Sequence, residues 1–255
     1  MLPSLFISHG SPMLALTEAP ARDFLRGLAG TMARPKAIVV ASAHWETAAP
    51  AVNAVARNET IYDFGGFPAA LYALSYHPPG DVAVAGRVSE LLGAAGLTCS
   101  VDHARGLDHG AWVPLLLAYP AADIPVLQVS VQSHLGPAHH LRLGAALAPL
   151  RAEGVLVVGS GSWTHDLGRF RGQGIDAPEA ADVVAFSDWM DTALVEGRRD
   201  DLLEYRGLAP YGAAQHPTEE HLLPLFVAMG AGGAPRRIHQ SCTYGVLRMD
   251  AYAFA

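Results

Sequence analysis

The chain has 255 residues, 51% of them hydrophobic, and a formal net charge of −7; with no basic run longer than Arg198-Arg199 or Arg236-Arg237, that balance excludes a nucleic-acid footprint. Its two cysteines, Cys99 and Cys242, lie far apart without CxxC spacing, which excludes a disulfide framework and a thiolate zinc site. No apolar run reaches the length of a membrane span and no secretory leader is legible, so a cytoplasmic protein in a reducing compartment is expected.

Along the chain, Leu2–Ser8 is a near-continuous apolar run, the mark of a strand buried on both faces, and it stops at His9 before Gly10 and Pro12. Ala37–Ala43 is a second such run and leads into His44. The loop Thr60–Pro79, rich in Gly, Pro and aromatic residues, is too long for a simple connection, and loops of that length are often functional. Asp81–Gly93 has helix-like spacing, and Leu97–Val101 suits a further strand. The stretch GLDHGAW places His109 just before the helix-like run Val113–Leu117. Ile124–Val131 reads as a strand, and Pro137–Leu150 as a helix opening on a proline, which the first helical position tolerates. Val155–Val158 is another buried strand and runs through GSGSW to His165; Pro178–Val195 follows as a helix.

Thr218 suits an N-cap, with Glu219 and Glu220 favourable in the first turn and His221 as the third helical residue. Glu220 and His221 are then about 100° apart, so only one can face a given site. Pro224 removes an amide and distorts that turn. Ile238–Phe254 is β-like again. Strands interleaved with helices, with no linker or repeat, predict a single α/β domain over 1–255, its central sheet largely parallel or mixed and flanked by helices.

The chain carries 12 histidines against 17 Lys and Arg. His9, His44 and His165 fall just beyond predicted strand ends, where open α/β sheets build their sites, and His109 precedes a helix. If the strand order unites those ends, the four form a non-thiolate metal site with an acid–base partner. Rival motifs fail. GSGSW lacks both GxGxxG and the Walker lysine, and neither GxSxG nor HExxH occurs. The pairs Glu219-Glu220 and Asp200-Asp201 are adjacent, a solvated-face pattern rather than an acid–base pair.

The segments SHGSPM, SAHWET, TIYDFGGFPAALY, GLDHGAWVPL, ADIPVLQVSV, GSGSWTHDL and TEEHLLPLFVAMGA occur in this order. Together they resemble the class III extradiol ring-cleavage dioxygenases of the 4,5-DOPA dioxygenase-like branch, from about residue 4 to the terminal YGVLRMDAYAF. The resemblance implies a non-haem Fe(II) oxidoreductase that opens a catechol ring with O2, giving a muconate semialdehyde. It implies His9, His44 and His221 as metal ligands, His221 standing where the wider superfamily has a glutamate. It further implies His165 as the catalytic acid–base group and His109 as a second catalytic histidine lining the catechol and oxygen site. The loop Tyr62–Pro68 would wall the substrate pocket with Tyr62, Asp63, Phe64 and Phe67. An all-histidine set also suits Zn(II), with His165 near enough to act as a fourth ligand in a zinc form. Asp166 stands where relatives often have asparagine. A zinc-dependent hydrolase on the same histidines, or a non-catalytic metal- or ligand-binding relative, is the alternative, and product chemistry separates them.

Overall fold

The apolar runs do form the sheet, and their alternate side chains part onto its two faces. The computed structural model describes residues 1–255. Its strands are β1 (Ser4–Ser8), β2 (Ala37–Glu46), β3 (Ala51–Asn53), β4 (Ser100–Asp102), β5 (Val126–Val131), β6 (Val155–Gly161), β7 (Pro235–His239), β8 (Cys242–Thr243), β9 (Leu247–Arg248) and β10 (Ala251–Phe254). The helices are α1 (Pro20–Leu28), α2 (Ala69–Tyr72), α3 (Val82–Ala94), α4 (His109–Ala118), α5 (Gly136–Leu147), α6 (Pro149–Ala152), α7 (Ala181–Val195), α8 (Arg199–Leu203), α9 (Tyr205–Leu208), α10 (Gly212–Gln215) and α11 (Leu223–Ala231).

Eight strands make one mixed sheet in the order β4-β3-β5-β2-β6-β1-β10-β7, while β8 and β9 pair as a separate hairpin. The central strands β5, β2, β6 and β1 are parallel. Antiparallel neighbours β3 and β10 flank them. On one face Leu5, Ile7, Ile38, Val40, Leu156 and Val158 pack with Leu25 of α1 and Trp112 of α4. On the other, Val39, Val129, Val155 and Val157 meet Val88 of α3, Leu147 of α5 and Val227 of α11. Phe6, Tyr252 and Phe254 continue that face against Phe186 and Met190 of α7. Helices on both faces explain why these strands read as continuous rather than alternating runs. No helix is long and apolar enough to cross a membrane.

Several expected boundaries move: the strand expected to end at Ala43 runs on to Glu46 and so contains His44, and three helices start or break elsewhere. Pro149 splits the expected helix Pro137–Leu150 into α5 and α6, because its ring cannot continue the amide ladder. α4 starts at His109 itself rather than after it. The helix expected from Thr218 begins at Leu223, with Pro224 in its first turn, where a missing amide does no harm. Before it, the amides of Leu222 and Leu223 both bond the Glu219 carbonyl, and the Thr218 hydroxyl donates to the Glu220 carboxylate instead of capping a helix. His221 therefore lies in a turn.

The glycines of GSGSW make room for that turn. A Cβ on Gly159 would stand 1.9 Å from the Pro224 carbonyl oxygen, and one on Gly161 would stand 2.0 Å from that of His221. Both obstacles are backbone, so neither yields by a side-chain rotation. Gly159→Ala is expected to cost about 2–3 kcal/mol as an overpacked core substitution, seen as a melting midpoint lowered by roughly 5–10 °C. An unchanged midpoint would mean that α11 is free to lift from β6.

Candidate active site

The strand order completes what the sequence left open. β2, β6 and β1 are neighbours, so their carboxyl ends stand side by side. His9 follows β1, and its amide bonds the Gly161 carbonyl at the end of β6. His44 lies within β2, inside the stretch Ala41–Glu46 where the register with β5 shifts. His221 is brought in by its carbonyl, which accepts from the Ser162 amide at 2.8 Å.

These three rings meet through Nε2. The His44 nitrogen is 3.0 Å from that of His9 and 3.2 Å from that of His221. Their outer nitrogens decide the tautomers. Ser160 donates its hydroxyl proton to the Gly110 carbonyl, so its oxygen accepts from His9 Nδ1–H at 3.1 Å. His221 Nδ1–H donates to the Glu220 carboxylate at 2.9 Å. His44 Nδ1 faces the Asp63 carboxylate at 3.5 Å. The outer nitrogens of His9 and His221 thus hold the proton, and their Nε2 lone pairs face Nε2 of His44. Burial first, and neighbouring imidazoles second, push His9 and His221 well below the usual histidine range and His44 down to about 4. Neutral lone pairs this close repel unless a cation lies among them. Imidazoles held from behind by a hydroxyl and by carboxylates fit a divalent transition metal.

Two further histidines flank the group. His165, its amide bonded to the Gln215 carbonyl, stacks on His221 with ring centroids 3.3 Å apart and planes 11° from parallel. Burial lowers its pKa to about 4, leaving a neutral base at physiological pH. His109 lies against His44 with centroids 3.9 Å apart. Both its amide and its Nδ1 reach the Asp63 carboxylate, at 2.9 Å each. Burial alone would raise Asp63, but those bonds outweigh it and hold the carboxyl below its ordinary value.

The motif DHG divides its labour. Asp108, fully buried, accepts from the Ser42 hydroxyl at 2.7 Å, the Gln128 amide at 2.7 Å and the Arg105 guanidinium at 2.9 Å. His109 faces the site. Gly110 leaves space that a Cβ would fill, 2.5 Å from the Ser42 hydroxyl and 3.1 Å from the His44 ring.

The five histidines line a cavity of about 550 Å³. Phe64 and Phe67 form part of its wall, as expected, but Tyr62 and Asp63 do not. Tyr62 points away, packing on Tyr72 and Trp112, with its hydroxyl donating to the Leu74 carbonyl at 2.7 Å. Asp63 stands behind His109. The rest of the wall, including Met13, Leu167, Phe170, Tyr244 and Leu247, escaped the sequence reading. Tyr244 reaches it from a left-handed turn, with φ 57° followed by φ 67° at Gly245. The remaining histidines lie elsewhere: His140 donates to the Gly136 carbonyl and accepts from the Gln132 amide. His216 is bonded to the Trp163 carbonyl, and His239 stacks half-buried on Phe24. The Asp166 carboxylate accepts from the Gly168 amide.

The chain matches, over residues 3–254, the family described as the catalytic LigB subunit of aromatic ring-opening dioxygenase. It is 48% identical to a 4,5-DOPA dioxygenase extradiol of Beta vulgaris, across 98% of this chain and 96% of that protein. It is 39% identical to the protein of the same name in Escherichia coli (strain K12), across 90% and 85%. A crystal structure of an uncharacterized protein from Escherichia coli K12 superposes over the whole of both chains, with a TM-score of 0.82 and 33% identity.

Proposed function

This chain belongs to the LigB family of extradiol ring-cleaving dioxygenases, and from that premise we propose that it opens a catechol with O2 at Fe(II) held by His9, His44 and His221, releasing a muconate semialdehyde. The observation that carries the reading is the meeting of three Nε2 atoms, those of His9 and His221 lying 3.0 and 3.2 Å from that of His44, in a cavity with aromatic walls. Iron(II) at that position supplies the one-electron chemistry that lets dioxygen react with a catechol.

The side chains do the rest. Phe64, Phe67 and Phe170 offer faces and edges to an aromatic ring and keep water from it. His165, neutral and on the His221 side, takes the proton of one catechol hydroxyl and returns it as the ring opens. His109, on the His44 side, presents Nε2 to the catechol and oxygen, its Nδ1 being committed to Asp63. Keeping iron divalent suits a reducing compartment, so we take the cytoplasm as the working place.

The same three imidazoles suit Zn(II), which cannot change oxidation state. Anaerobic loading with Fe(II) is therefore expected to give oxygen uptake, one O2 per catechol, and a yellow product with at least one member of a catechol panel that includes DOPA. Zinc-loaded protein is expected to show neither. An iron-loaded enzyme that consumes no oxygen with any catechol would move the site to the zinc-hydrolase or binding reading.

A further inference from the structure

We propose that Asp63 is the positioning residue that fixes the tautomer and the aim of His109. One carboxylate grips that residue twice: Oδ1 accepts from its backbone N–H and Oδ2 from its ring Nδ1–H, both at 2.9 Å. The two bonds leave no freedom for the ring to flip without breaking one of them.

The sequence supplies a reason for so distant a partner. Asp108 occupies the cap position of α4, yet its carboxylate makes no cap bond, being held by Ser42, Gln128 and Arg105. The first amide of the helix, that of His109, has no acceptor within the helix. Asp63 fills that place from a loop 46 residues earlier in the chain. The loop is also fastened to the approach and body of α4, the Ile61 amide bonding the Leu107 carbonyl and the Trp112 indole donating to the Ile61 carbonyl. Asp63 is the loop residue whose hydrogen bonds reach His109 itself.

The chemical consequence follows from what a carboxylate can do. Ionised, it only accepts, so Nδ1 of His109 must carry a proton, and Nε2 is the nitrogen left to face the cavity. Oδ2 lies 3.5 Å from Nδ1 of His44, too far for a hydrogen bond, so its bond is to His109 alone. An acidic residue behind an imidazole is a recurrent way to hold the productive tautomer. For its kinetic effect the proposal rests on the ring-cleavage reading; for its geometry it does not.

Asp63→Asn separates this role from simple capping. Asparagine caps a helix as well as aspartate does, so the bond to the His109 amide survives, but an NH2 group now confronts Nδ1. In the iron-loaded enzyme kcat is expected to fall by about 30-fold or more, while KM and metal content stay within about threefold. In zinc-loaded protein labelled with 15N-histidine, the wild-type His109 signal, assigned with His109→Gln, is expected to show Nδ1–H, and the Asn variant to lose it. A kcat within about threefold of wild type would reduce Asp63 to a cap. A wild-type His109 protonated on Nε2 would overturn the proposal whatever the activity. If no catechol is turned over, the NMR result alone decides the proposal, and the ring-cleavage reading fails separately.

Discussion

His165→Ala is expected to keep its metal and its catechol and to lose turnover by about 10²–10⁴-fold, the contribution of a positioned acid–base group. His165 does not enter the trio of meeting Nε2 atoms; it lies flat against the face of one of those rings, His221, at 3.3 Å between centroids. Burial holds its pKa near 4. It is therefore uncharged at neutral pH and ready to accept a proton from a catechol hydroxyl. Metal analysis beside steady-state oxygen uptake checks the assignment. Full turnover in the variant would remove His165 from proton transfer. Loss of the metal together with turnover would instead make it a fourth ligand.

His44→Ala is expected to abolish metal binding at micromolar metal and, with it, ring opening. His44 is the shared neighbour of the trio, 3.0 Å from His9 Nε2 and 3.2 Å from His221 Nε2. Removing it leaves two donors whose ring centroids are 5.5 Å apart. Loss of an outer-sphere partner typically weakens a metal site by about 10–100-fold, and losing a donor atom is expected to exceed that. The fold should persist, because the His44 side chain is 22% exposed and sits beyond the packed part of β2. Inductively coupled plasma analysis with circular dichroism tests both halves. A folded variant that still holds one metal per chain would displace His44 from the ligand set.

Much of this architecture is legible in the sequence, for a physical reason. Strands covered on both faces must be apolar throughout, so β1, β2, β5 and β6 stand out, and a histidine at the end of such a run is conspicuous. Which ends are neighbours is decided by how the helices dock, and no local pattern states it. His221 shows the limit well. Pro224 reveals that the helix start is unusual, but the turn that replaces it depends on the missing side chains of Gly159 and Gly161, some sixty residues earlier. Those glycines resemble half of a phosphate loop when read alone, and prove to be clearance for a neighbouring backbone. Asp108 stands at the cap position of α4, yet Ser42, Gln128 and Arg105 draw its carboxylate inward, and the His109 amide bonds Asp63 from a distant loop, which no local pattern states. Tyr62 and Asp63 belong to a loop whose facing is set by Leu74 and His109, contacts invisible in the order of residues.

The spacing of the three inward nitrogens along the chain carries one more consequence. His9 and His44 are 35 positions apart, and His44 and His221 are 177 apart. A cation that joins them is a cross-link over most of the polypeptide, closing loops that an unfolded chain closes only at a large entropic cost. Its binding energy then enters the folding equilibrium itself, adding about 2.7 kcal/mol when free metal is a hundred times its dissociation constant. Chelation is in that sense expected to lower the melting midpoint as well as to inhibit.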